Sequence, residues 1–361
     1  YGERLVNEYG LEGAVTDSTP SIRGSMYWQI PDFYNMTSSK TLTMLTNFKT
    51  TQQVTDWTCG PSSALMVLEW YGMRGDLNEM DLVSLRQNDK PGATTLRQMV
   101  SIFEGLEKNM GQKWDLYSTF DAKLDWDDGF YPYVSYKGER ITLFDFVPQV
   151  LKEGKPIIIG WNDWGGHYQV IIGYDTMGTE TTADDVLILA DPYDTTDHHQ
   201  DGYLIKSAER LLWDFSAGWD PDFEYGIFLV AAPESFKDKA PLIGEGIKDD
   251  LKNAGRFTDV HMIPYGDKLA ADILAFDKVE PYSADYPNWF GADGLSGPAS
   301  TDAFRKADYK NSPYYKNVDV YNLKPTASRT VLQRYKSIQQ ATEYTCGVTS
   351  MLSALEWFGK R

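Results

Sequence analysis

Apolar positions along the chain change period partway through, and the change separates two kinds of structure. After Cys59, residues Ala64, Leu65, Val67, Leu68 and Tyr71 recur at helical spacing and define a helix with one buried face. Gly60-Pro61 opens it, where proline is tolerated because its missing N–H would be unpaired anyway, and Gly72 closes it. Further helices are predicted at Glu79–Arg86, Thr95–Lys108 and Leu143–Glu153, the last stopped by Gly154. Beyond residue 155 the pattern becomes short runs rich in Ile and Val, bounded by Gly, Asp and Pro: Pro156–Trp161, His167–Tyr174, Val186–Ala190 and Gly226–Ala232. These read as strands of one sheet, with an earlier strand near Thr41–Phe48. A helical half followed by an antiparallel half is an α+β arrangement.

The sequence also repeats part of itself. Gln52–Gly72 (QQVTDWTCGPSSALMVLEWYG) and Gln339–Gly359 (QQATEYTCGVTSMLSALEWFG) are identical at 12 of 21 positions without a gap, at an offset of 287 residues. Only the opening of the second unit is present, one helix deep. A domain cut there cannot bury its core helix alone. The expectation is that the polypeptide continues past Arg361 or that another element covers that helix. The expected organisation is an extended N-terminal arm at 1–47, a main domain at 48–233, a linker and connecting region at 234–320, and the incomplete second repeat at 321–361.

Charge narrows the function. The chain carries 34 Lys and Arg against 52 Asp and Glu, a formal charge of −18, with no basic cluster. Phosphate binding needs a basic face, so a nucleic-acid partner is excluded. No apolar run reaches the ~18–20 residues of a membrane helix, so no membrane segment is expected. Tyr1 is not an initiator Met and no basic-then-apolar leader is visible, so a mature form, an engineered piece or a fragment is expected. The negative charge suits an exported protein, and a secreted or cell-surface bacterial location is the expectation. Two cysteines are too few for a disulfide framework, and a Cys59–Cys346 bridge is not expected, because both should start buried helices in separate modules. His198 and His199 sit in an acidic loop at 194–201 and read as solvated; no metal or cofactor is expected.

The positions of the cysteines matter more than their number. Cys59 at a helix start is where unpaired N–H groups and the helix dipole favour a thiolate. Gln53, six residues upstream, adds an uncharged amide donor beside the Cys59 backbone N–H for the oxygen of a tetrahedral intermediate. His167 begins an apolar strand after Gly165-Gly166 and suits a base that takes the thiol proton and returns it to the leaving amine. Asp191, at the end of the next strand, suits the group that fixes the imidazole tautomer. Cys346 and Gln340 repeat the first half of this pattern, but no histidine follows Cys346, so this second site is incomplete.

WTCGPSS after an upstream Gln, then GGHYQVIIGYD, then LADPYD, resembles the double-glycine-leader peptidases that process bacteriocins, and more broadly the family-thirty-nine-like domains of the papain clan. The resemblance spans roughly Phe48–Pro233. It implies a papain-like cysteine peptidase fold, a peptide or protein substrate, and a Cys-His-Asp acyl-enzyme mechanism through Gln53, Cys59, His167 and Asp191. The chain departs from transporter-linked members in having no membrane segment and no GxxxxGK[ST] motif, so leader cleavage is not implied. Acyl transfer to an amine stays open beside hydrolysis. The rival reading is a catalytically silent peptidase-fold repeat protein that serves as a surface binding or self-assembling module, its C-terminal quarter-unit docking head-to-tail on another chain.

Overall fold

The computed structural model describes residues 33–244, 323–336 and 346–360, apart from residues 54, 56, 88–91, 127–131, 162–165, 183–184, 194–201, 217, 219 and 224–225. The first segment begins with strand β1 (Leu42–Met44), then helices α1 (Cys59–Trp70), α2 (Glu79–Val83) and α3 (Leu96–Met110). Next come β2 (Trp114–Ser118), α4 (Thr119–Ala122), the hairpin β3 (Tyr133–Tyr136) and β4 (Glu139–Thr142), and α5 (Leu143–Lys152). Strands β5 (Ile157–Trp161), β6 (His167–Asp175), β7 (Val186–Ala190) and β8 (Tyr203–Ser207) follow, then α6 (Ala208–Ser216) and β9 (Ile227–Pro233). The C-terminal helix α7 spans Cys346–Trp357.

The main sheet runs β2-β9-β5-β6-β7-β8, every neighbouring pair antiparallel, and β1 pairs with the far end of β6. Strands β5, β6, β7 and β9 are buried at every position. That explains why they read as continuous apolar runs rather than as alternation. Helix α1 lies against β6 and contacts α2 and α3, with Ala64, Met66, Val67 and Leu68 at 0% exposure. Helix α3 starts with a capping box between Thr95 and Gln98, and α2 with one between Asn78 and Asp81. Gly173 admits β1 at close range, since a Cβ there would lie 2.7 Å from the Met44 sulfur. The architecture is α+β, as expected, with a cysteine-bearing helix against an antiparallel sheet.

Several expectations change. The folded unit starts before residue 48, because Phe33, Met36, Leu42, Met44 and Leu45 are all core residues. The strand expected over Thr41–Phe48 is only Leu42–Met44, and Asn47 at φ 63 turns the chain soon after. Downstream, the first residues of the expected linker lie on the domain: Lys239 N–H donates to Glu153 and Gly244 N–H to Ser38. Strand β2, the β3–β4 hairpin, β8 and α6 were not anticipated from periodicity. The hairpin turns at Lys137-Gly138, both at positive φ, a turn that YKGE does not advertise as Asn-Gly would. Helix α7, which the partial repeat was not expected to bury by itself, leaves Cys346, Val348, Met351 and Leu355 exposed. Both cysteines are free thiols, as expected. The 194–201 loop, Gln340 and most of the 234–320 linker lie outside the described residues.

Ile158 sits at 0% exposure in β5, between β6 and β9. Ile158→Ala should cost about 2–5 kcal/mol of unfolding free energy through lost burial and a residual cavity, read from urea denaturation.

Candidate active site

The sequence-selected residues Cys59, His167, Asp191 and Gln53 are brought together where α1 meets the sheet. Cys59 is the first residue of α1 and is buried. The preceding Thr58 makes no side-chain cap bond to the helix. Its hydroxyl instead donates to the buried Glu79 at 2.5 Å, and Glu79 also accepts from Ser62 at 3.0 Å. Two bonds to one carboxylate pin the helix start on either side of Cys59.

His167 is the first residue of β6, opposite Trp161 of β5. Asp191 follows the end of β7, whose Ala190 pairs with Val170. The antiparallel register therefore brings Asp191 back toward the start of β6. His167 Nε2 lies 2.6 Å from Asp191 Oδ1. The second carboxylate oxygen accepts from Gln169 Nε2 at 2.8 Å, and Tyr193 N–H donates to Oδ1 at 2.8 Å. The turn after Asp191 reaches across to the other half of the domain, where Gln53 N–H donates to the Pro192 carbonyl at 2.7 Å. The Gln53 side-chain amide donates to the Thr55 carbonyl at 2.6 Å, which fixes its plane.

Electrostatics follow from this packing. Burial works against a charged His167 ring, but the charge and hydrogen bond of Asp191 outweigh it, aided by the hydrogen bond and charge of Cys59. The net effect raises the His167 pKa from 6.5 to about 10. Cys59 is thereby the ring's second partner, on the sulfur side. Burial would push Asp191 up, yet His167, the Tyr193 N–H and Gln169 together hold it below its ordinary value. A buried carboxylate, a charged imidazole and a sulfur in sequence form the chain of partners that a thiol nucleophile needs.

Residues 45–216 match the Peptidase_C39 like family. These residues are similar to that family. No curated protein matches the sequence. Solved structures similar to the chain include one assigned as a C39-like peptidase from Bacillus anthracis, 13% identical over 55% of this chain and 99% of that one, with a TM-score of 0.33. Another is UfSP from C. elegans, 14% identical over 55% of this chain and 35% of that one, with the same TM-score. The family match alone makes residues 45–216 cysteine peptidase-like.

Three contributors to the C39-like site were missed in the sequence. Gln169 is two residues past His167 on the same strand, so the two share a face; an amide fully buried in an apolar strand was the available signal. Trp161, opposite His167, stands edge-on to the imidazole with ring centroids 5.7 Å apart. Behind it the buried Lys206 places its Nζ 3.0 Å from the Trp161 ring centre and pairs with Asp214 at 2.8 Å. No local motif marks that layer. The incomplete second set is not assembled: Cys346 is exposed, and Gln340 is outside the described residues.

The His167–Asp191 pair gives the C39-like domain a defined pH response. Because the folded His167 pKa lies above 6.5, folding takes up a proton between pH 6.5 and about 10. That contribution is fully present below pH 6.5 and is lost as pH rises through about 10. Asp191 is shifted the other way, so its contribution is present above 3.8 and fades as pH falls through its lowered value. Thermal midpoints should fall between pH 7 and 10, and Asp191→Asn should flatten that fall. An identical slope in the variant would remove the pair as its source.

Proposed function

We propose that the C39-like domain hydrolyses peptide bonds through an acyl-enzyme, with Cys59 as nucleophile, His167 as acid and base, Asp191 as its orienting partner and Gln53 in the oxyanion hole. The observation that carries this reading is the buried His167 ring bonded to the Asp191 carboxylate at 2.6 Å, with the buried Cys59 side chain near enough to help raise its pKa.

The steps use only these groups. The Cys59 sulfur, as thiolate, attacks the scissile carbonyl carbon and forms a C–S bond as the carbonyl π pair moves to oxygen. The Cys59 backbone N–H and the Gln53 amide donate to that oxyanion. The intermediate collapses, the C–N bond breaks, and the leaving amine takes the proton held on His167. Water then attacks the thioester carbonyl as the ring accepts its proton. Collapse of the second intermediate releases the acid product and restores the sulfur. An amine in place of water yields acyl transfer by the same route. Asp191 needs no proton in either half; it holds the ring in one orientation and stabilises its charge. Trp161, backed by Lys206, keeps bulk water off one side of the His167–Asp191 bond.

A peptide bearing a thiol-reactive electrophile should label Cys59, located by peptide mapping so that the exposed Cys346 is scored separately. Cys59→Ala should remove that label and all peptide hydrolysis; hydrolysis surviving in the variant would rule out this nucleophile. Gln53→Ala should lower kcat by about 10²–10³ while leaving KM nearly unchanged, the pattern of a donor used mainly in the transition state. A change confined to KM would instead make Gln53 a substrate-binding group.

A further inference from the structure

Helix α1 starts unlike the helices around it. Asn78, Thr95, Ser118 and Thr142 precede α2, α3, α4 and α5 in extended backbone, with ψ of 174, 164, −178 and 157. Each accepts a hydrogen bond on its side chain from an amide of the first turn. Thr58 precedes α1 at φ −92 and ψ 19, and its hydroxyl makes no cap bond to the helix. A capping side chain at a capping position has been put to another use.

That use is a bond to Glu79, which is 0% exposed. Thr58 Oγ1 donates to Glu79 Oε1 at 2.5 Å, and Ser62 Oγ donates to Oε2 at 3.0 Å. A hydroxyl has one proton to give. Thr58 gives its own to Glu79, so the 2.8 Å bond between the Thr58 and Thr55 hydroxyls runs from Thr55 to Thr58. The Thr55 hydroxyl accepts in turn from the Trp57 N–H at 3.3 Å, and the Thr55 carbonyl accepts from the Gln53 amide at 2.6 Å. The carboxylate thereby orders the hydroxyl protons of a buried chain that ends at Gln53; Thr58, Thr55 and Gln53 are at most 2% exposed.

Both ends of that chain bear on one point. The Thr58 carbonyl accepts from the Ser62 N–H at 2.9 Å, and the described peptide bonds are all trans. Across a trans peptide plane the N–H opposes the carbonyl, so the Cys59 N–H points out of the helix start. Holding Thr58 therefore aims that N–H. The Gln53 amide nitrogen carries two hydrogens, and the bond of one to Thr55 sets the direction of the other. We propose that Glu79 is a positioning residue for the oxyanion hole: by drawing the Thr58 proton it fixes the aim of the Cys59 N–H and, through Thr55, of the Gln53 amide. The inference rests on the peptidase reading above and adds a buried acid outside the Cys-His-Asp set, acting through Thr58 rather than on the reacting atoms.

The test is kinetic, on the full chain, with the best substrate from an internally quenched peptide library. Glu79→Met keeps the volume and removes the acceptor, a kind of change that buried ions often tolerate. It should lower kcat by about 10–100-fold with KM nearly unchanged, because misaimed donors cost most in the transition state. Alkylation of Cys59 by iodoacetamide forms the C–S bond as iodide leaves and makes no oxyanion, so its rate should be undiminished. Peptide mapping scores Cys346 apart. Glu79→Gln keeps one acceptor for Thr58 and should recover most of the lost kcat. Parental kcat in Glu79→Met, a loss confined to KM, or alkylation falling with hydrolysis would each overturn the inference. So would a Glu79→Gln as slow as Glu79→Met, since charge rather than the Thr58 bond would then matter. Should Glu79→Met lose cooperative unfolding, Thr58→Val breaks the same bond from the donor side and takes its place; loss in both makes the bond structural and overturns the inference. A parent chain that hydrolyses no library peptide removes the peptidase reading and this inference with it, whereas a hydrolysing parent matched by Glu79→Met removes this inference alone.

Discussion

A carboxylate and an imidazole inside an apolar sheet are each costly, and they persist here because each supplies the other's charge. Asp191 accepts from His167, Gln169 and the Tyr193 amide at 2.6–2.8 Å, so every oxygen is occupied. Remove the ring and a buried anion is left with neutral donors; remove the anion and burial strips the ring of its proton. The arrangement of the whole sheet around the β6–β7 register can be understood as the scaffold for that pair. The register that pairs Val170 with Ala190 also sets Asp191 near Gln169 and His167.

The helical half is fixed to this pair at two places, and both are local. Gln53 donates its backbone N–H to Pro192, the residue after Asp191. Glu79 holds Thr58 and Ser62 on either side of Cys59. The sulfur's position is thus set from the helix side by a buried carboxylate and from the sheet side by a turn bond. Neither depends on a long flexible side chain, which is what a site tolerating small misplacements poorly requires.

The sequence was most informative where chemistry and chain order coincided. A cysteine at a helix start, a glutamine six residues before it, and a histidine and aspartate at successive strand boundaries are local features, and each is readable singly. Continuous burial of β5, β6, β7 and β9 also left a clear apolar signature. What stayed hidden was non-local. Strand β2 alternates weakly, with burial only at its ends, and becomes a strand through its pairing with β9. The Lys206–Trp161 layer joins residues 45 positions apart through the sheet, and nothing in either neighbourhood announces it. The early start of the domain was masked because Phe33 and Met36 are isolated apolar residues in a polar stretch and gain meaning only from the core they enter.

The two copies of the helix separate local from non-local causes in a way that one copy cannot. The aromatic pair (Phe48–Trp70, Tyr335–Trp357), the Lys–Glu bridge (Lys49–Glu69, Lys336–Glu356), the positive-φ entry (Asn47, Arg334) and the glycine exit (Gly72, Gly359) recur at offset 287 although Met351 and Leu355 of the second helix are exposed. Those features are therefore properties of some thirty residues and their short-range sterics. Burial of Leu45, Ala64 and Leu68 does not recur, so it belongs to the sheet. The same division applies to the chemistry. A cysteine at a helix start recurs in both copies, whereas the histidine and carboxylate beside Cys59 come from the start of β6 and the end of β7, so the non-local part of the site belongs to the sheet.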